Sequence, residues 1–142
     1  MNCTPEQFAQ AVLKALETLN TPDVSKLPLQ ERKDLANNPN TPPEILTILA
    51  RDEDWDVRCR VAQNPNTPPE ILTLLARAEN RYVRYGVANN PNTPPEILTL
   101  LARDEDSSVR CRVERNSNAT REVIQTVRAY EFYKSLDKVA QL

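Results

Sequence analysis

Residues 38–63 read NPNTPPEILTILARDEDWDVRCRVAQ, and residues 90–115 read NPNTPPEILTLLARDEDSSVRCRVER. The two stretches agree at 21 of 26 positions. Between them, residues 64–89, NPNTPPEILTLLARAENRYVRYGVAN, match the first at 18. A fourth unit from Asn116, NSNATREVIQTVRAYEFYKSLDKVAQ, is degenerate but closes on Val139-Ala140-Gln141, as the first closes on Val61-Ala62-Gln63. A period of 26 is the mark of a stacked array, in which each unit buries its apolar face against the next and the end units are atypical.

Each unit predicts two helices. Thr41-Pro42-Pro43-Glu44 carries a helix start: threonine can cap, proline fits the first turn, and Glu44 can reach back to the Thr41 amide. Thr67 to Glu70 and Thr93 to Glu96 repeat it. Ile45, Leu46, Ile48 and Leu49 then share one face, with Glu44, Thr47 and Arg51 pointing away, and the helix should stop near Arg51 or Asp52. A second, shorter helix is predicted over roughly Trp55 to Gln63. Asp54 caps it, with Asn80 and Asp106 in the same role, and Asn64-Pro65 ends it. Val57, Val61 and Ala62 form its buried arc, and Asp56, Cys59, Arg60 and Gln63 lie opposite.

The flanks read as caps. Thr4-Pro5-Glu6-Gln7 is another capping box, opening a helix to about Leu19 with Phe8, Val12, Leu16 and Leu19 on one side. Leu29 to Asn37 is a divergent short helix in which Leu35-Ala36 match Val61-Ala62. From about Thr120 to Ala140 the acidic turn is gone and one long amphipathic helix is expected. The whole chain, 1–142, is expected to form one repeat domain: an N-terminal cap over 1–37, repeats at 38–63, 64–89 and 90–115, and a degenerate repeat with a capping helix over 116–142.

Composition agrees with this. The chain of 142 residues holds 12 prolines but one glycine, Gly86, so proline punctuates structure at fixed intervals and does not mark low complexity. No apolar run approaches the ~18–20 residues of a membrane span, and MNCTPEQF lacks the basic start and apolar stretch of a secretory signal. Three cysteines argue against a disulfide framework and fit a reducing cytoplasm. A net charge of -2 gives no bulk attraction to nucleic acid or acidic membrane.

A unit of NPNTPPEILTLLA, an acidic turn and VRxxVA resembles the leucine-rich repeat variant family, well over 38–115 and weakly over 116–141. The same stretch, LLARDEDWDVRCRVA, also looks like HEAT repeats. These resemblances imply an all-α, right-handed solenoid superhelix, with the VRCRVAQ segment partly 3₁₀. They imply no single activity. The iron–sulfur cluster that some members carry in a cysteine-rich N-terminal region is not supported, since that region offers only Cys3, and no cofactor is expected.

Arg58, Arg84 and Arg110 form a ladder beside the buried arc. Phosphate binding is one reading, but each arginine is expected to bond the acidic turn of its own or a neighbouring unit. Cys59 and Cys111 sit two units apart, roughly 16–20 Å at ordinary helix spacings, too far for a disulfide or a shared metal. The groups Asp52-Glu53-Asp54 and Asp104-Glu105-Asp106 read as caps and solvated charge, not as a calcium loop, because Ala78 and Asn80 break the series. With no histidine the commonest general base is missing, and no constellation points to an enzyme.

The copies differ at Trp55/Arg81/Ser107, Asp56/Tyr82/Ser108, Cys59/Tyr85/Cys111, Arg60/Gly86/Arg112 and Gln63/Asn89/Arg115. Most of these positions fall on the exposed side of the second helix, which should line the inner, concave face. The expected partner-binding set is Trp55, Asp56, Arg60, Gln63, Arg81, Tyr82, Tyr85, Asn89, Ser108, Arg112 and Arg115, with the aromatics as anchors. The favoured function is a non-catalytic module binding a protein or peptide. The alternative is nucleic-acid binding through a basic inner strip of Lys33, Arg60, Arg112 and Arg115.

Overall fold

The structure is a computed structural model that describes residues 4, 7, 10, 11, 14 and 23–141. Every regular element among them is helical and none is a strand. A 3₁₀ turn at Val24–Lys26 leads into α1 (Leu29–Asn37). Then come α2 (Pro43–Leu49) and α3 (Trp55–Gln63), α4 (Pro69–Leu75) and α5 (Arg81–Asn89), α6 (Pro95–Leu101) and α7 (Ser107–Glu114). The long α8 (Arg121–Ala140) closes the stack. At the N-terminus the Thr4 amide donates to Gln7 Oε1 at 3.1 Å and the Gln7 amide to Thr4 Oγ1 at 3.2 Å, the reciprocal cap read from the sequence. The apolar face assigned to that helix, Phe8, Val12, Leu16 and Leu19, lies outside the described residues.

The second helix of each unit, together with its upstream counterpart α1, forms one layer, in which α1, α3, α5 and α7 pack side by side, and α8 closes against α7. Their buried arcs are those expected: Val57, Val61 and Ala62 on α3, Val83, Val87 and Ala88 on α5, Val109 and Val113 on α7. The opposite layer, α2, α4 and α6, contributes Ile45, Leu46 and Leu49 and their repeats. Ile48, Leu74 and Leu100, assigned to the buried face, are instead 45%, 43% and 46% exposed. A helix of seven residues has room for one narrow apolar stripe, and the next residue round it faces solvent.

Two sequence expectations are corrected. The second helix is the longer one, nine residues in α3 and α5 against seven in α2, and of the two forms open to it, α and 3₁₀, it takes the α form. Pro42-Pro43 delays the start of α2, and tight bonds from Arg51 N to Ile48 O and Asp52 N to Leu49 O close it early. By contrast Asp54 Oδ1 accepts the amides of Asp56 (2.8 Å) and Val57 (3.3 Å), which fixes the start of α3 as read; Asp106 does the same with Ser108 and Val109, and Asn80 accepts the Tyr82 amide alone.

The threonines also depart from the role expected of them. Thr41, Thr67 and Thr93 do not cap the helices that follow; Pro42, Pro68 and Pro94 hold those positions with no side-chain cap. Each hydroxyl instead donates backwards, Thr41 to Leu35 O (2.6 Å), Thr67 to Val61 O (2.6 Å) and Thr93 to Val87 O (2.7 Å). The last carbonyls of a helix have no partner within it, and a buried one must find a donor elsewhere. These threonines supply it.

The asparagines stitch one unit to the next. Asn64 Nδ2 donates to Ala36 O and Asn38 O, both at 2.8 Å. Asn90 repeats this on Ala62 O (2.8 Å) and Asn64 O (2.9 Å), and Asn116 on Ala88 O (2.7 Å) and Asn90 O (2.9 Å). Each Oδ1 accepts the amide two residues on, closing the Asn-Pro-Asn turn at Asn64 and Asn90 and its Asn-Ser-Asn counterpart at Asn116. Asn64 and Asn90 are buried, so these bonds form where water does not compete.

Candidate interaction surface

The arginine ladder has four rungs, and three of them pair with a carboxylate of the next unit. Arg84 Nη1 donates to Ala78 O and Glu79 O, both at 2.8 Å, while Nε and Nη2 reach Asp104 Oδ2 and Oδ1 at 2.7 and 3.0 Å. Arg110 bonds Asp104 O and Glu105 O, and its Nε meets Glu131 at 2.7 Å. Arg32, a period of 26 before Arg58 and not singled out from the sequence, donates to Leu27 O and pairs with Asp52 at 2.8 Å. Extending the register upstream would have found it. The Asp104 hydrogen bond holds the Arg84 guanidinium's pKa above its ordinary value, so its charge is fixed. With Arg84 and Arg110 buried and paired, the phosphate reading of these two has no accessible group.

The variable positions divide into three groups. On the Val-Arg layer Trp55 and Tyr82 stand 44% and 48% exposed with ring centroids 5.4 Å apart. The Arg81 guanidinium lies 4.9 Å over the Tyr82 ring and pairs with Asp106 at 3.3 Å. Tyr85 is half-buried beside them; its hydroxyl accepts from Arg112 Nη2 at 2.6 Å, with the guanidinium 5.2 Å over the ring. Arg81, Tyr82, Tyr85, Asp106 and Ser108 line a recess of about 250 Å³. Six of the residues expected to bind a partner therefore meet at one place: Trp55, Arg81, Tyr82, Tyr85, Ser108 and Arg112.

A second group is polar and self-satisfied. Asp56 pairs with Lys33 at 2.9 Å and Arg60 at 3.3 Å. The hydrogen bond from Lys33 comes first among the causes that hold the Asp56 carboxyl below its ordinary 3.8. The third group, Gln63, Asn89 and Arg115, sits exposed at the far ends of α3, α5 and α7, away from the recess.

Two further positions differ from the expected exposed pattern. Gly86 is buried where α5 crosses α3, and a Cβ there would stand 2.9 Å from Ala62 Cβ. Cys59 is half-buried, with Sγ 3.3 Å from Tyr82 O. Burial raises its thiol pKa, so a reactive thiolate is disfavoured. Among the described residues no group of three or more His, Cys, Asp or Glu is placed to hold a metal.

Comparison with protein families decides the wider setting. The Leucine Rich Repeat Variant domain model matches residues 30–89, and the Leucine rich repeat variant model matches residues 81–106. The chain belongs to the leucine-rich repeat variant family. The helical stack described above is thus a leucine-rich repeat variant array, and HEAT-like repeats are compatible with it. No curated protein and no solved structure gives a significant match.

One surface of this leucine-rich repeat variant chain escaped the sequence reading. The distal half of α8 leaves Phe132, Tyr133, Leu136 and Val139 between 52% and 66% exposed. Only Val123 and Val127 of this helix are buried. The amphipathic pattern was visible, but a pattern does not say how far the stack beneath a helix extends.

Proposed function

We propose that the chain is a non-catalytic module that binds another protein or peptide through the layer formed by α3, α5 and α7. The observation that carries this is the Trp55–Tyr82 ring pair, exposed beside the recess of Tyr85, Arg81 and Ser108 on an otherwise constant frame. Exposed aromatics with arginine are the side chains that dominate binding hot spots. The Val-Arg helices approach one another closely, whereas α2, α4 and α6 of the opposite layer touch one another far less. A stack packed more tightly on one side bends towards it, which supports an inner, concave position for the aromatic cluster.

The internal pairing of Lys33, Arg60 and Arg112 counts against the nucleic-acid reading, since only Arg115 of that strip has no side-chain partner among the described residues. Salt-sensitive retention on DNA would restore it. No helix among the described residues is long and apolar enough to cross a membrane, and the unpaired Cys59 and Cys111 support our placing it in the cytoplasm.

The test is affinity capture from native lysate with the wild-type chain and a Tyr82→Ala/Tyr85→Ala variant of equal helical content. Capture of a reproducible partner should be lost in the variant. Unchanged capture would remove these aromatics from the binding surface.

A further inference from the structure

One rung of the ladder is open, and the other three show what belongs in it. In each rung Nη1 of the arginine is held by backbone carbonyls of the preceding turn, and the remaining edge of the guanidinium meets a carboxylate of the next unit: Asp52 for Arg32, Asp104 for Arg84, Glu131 for Arg110. Arg58 keeps the first half of this arrangement, donating through Nη1 to Asp52 O and to Glu53 O. The second half is missing. The 26-residue register places Ala78 where Asp52 and Asp104 stand in the neighbouring units. Among the described residues no carboxylate comes within ion-pair distance of Arg58.

We propose that Arg58 and the notch left by Ala78 form a carboxylate-binding site, taking an Asp or Glu side chain of a bound peptide. Three observations converge on it. The Nη1 anchors fix the guanidinium plane, so Nε and Nη2 form a fork ready for a carboxylate, the group that a planar guanidinium matches bidentately. The register sets Ala78 where Asp52 and Asp104 stand in the neighbouring units, so a carboxylate's worth of side chain is missing opposite that fork. And Arg58 is half-exposed where Arg84 and Arg110 are buried, so the fork opens to solvent. Glu53 and Glu79 flank the site and are exposed, which sets the affinity for a lone carboxylate in a weak, salt-sensitive range. A carboxylate tethered to a peptide bound nearby gains from its high local concentration. The site stands independently of the aromatic recess, and its test needs no natural partner.

The experiment is a titration of the ¹⁵N-labelled full chain with N-acetyl-aspartate N-methylamide, with the asparagine analogue at matched ionic strength as control, following the Arg58 Nε–H resonance. A saturable shift with the aspartate compound and none with the asparagine compound is the expected result. In Ala78→Asp the resonance should move without ligand and cease to respond, and the melting temperature should rise by a few degrees (about 2–4 °C) as the fourth pair forms. No saturable shift in the wild-type chain would overturn the proposal. So would an Ala78→Asp variant that folds and still titrates like wild type.

Discussion

At position 86 the array allows no side chain. An alanine there would put Cβ 2.9 Å from Ala62 Cβ and 3.1 Å from Cys59 O, neither of which is the flexible end of a side chain. Alanine gains about 1 kcal/mol in helix propensity, but overpacking between fixed backbones costs about 1–3 kcal/mol. Gly86→Ala is expected to lower the urea midpoint, and a rise would show that α3 and α5 can part easily. Asn90 makes the opposite case. Its amide serves Ala62 O and Asn64 O across a unit boundary, and Asn90→Ala strands both carbonyls at a cost of about 2–4 kcal/mol. The same urea titration reads it. Neither role was legible in the sequence. Asparagine before proline reads as a turn residue, and the carbonyls it serves lie 26 and 28 residues upstream, in view only once the units stack.

Whole elements were more legible where the signal is local. The bounds of α3 follow from Asp54, whose carboxylate bonds the next amides, and from Asn64-Pro65, which cannot continue a helix. Both signals act within a few residues of the chain. Thr41 was misread because its acceptor, Leu35 O, belongs to the preceding helix, and a hydroxyl can serve either end. The caps make a direct prediction: Asp106→Ala should cost about 1 kcal/mol, checked by thermal unfolding. The pairing of Asp56 adds a pH dependence. Lys33 and Arg60 hold its folded pKa below the ordinary 3.8, so the stabilisation is present above that value and is lost as pH falls through the depressed folded value. Wild type should therefore exceed Asp56→Asn in urea midpoint at about pH 7, and the gap should narrow as pH falls below the ordinary 3.8 of the carboxyl and through its depressed folded value. A gap that persisted in acid would assign the effect to packing.

For the whole molecule, the division of labour between constant and variable positions is the main result. Asparagines, threonines, aspartate caps and three arginine pairs repeat because each closes a bond that the stack requires. The residues that change from unit to unit supply the aromatic cluster. This division was legible from three near-identical copies, since what differs between them is free of the packing constraint. Gly86 and Ala78 are exceptions: at Gly86 the neighbouring helix lies too close, and Ala78 takes the place of the aspartate that pairs with Arg32 and Arg84 in the neighbouring units. The most direct test transplants chemistry between units: Arg81→Ser, Tyr82→Ser and Tyr85→Cys give α5 the residues that α7 already carries at the same register. Partner capture by this triple variant is the measurement. Capture should be lost while the unfolding midpoint stays near that of wild type; capture retained at the wild-type level would remove the aromatic cluster from the binding surface.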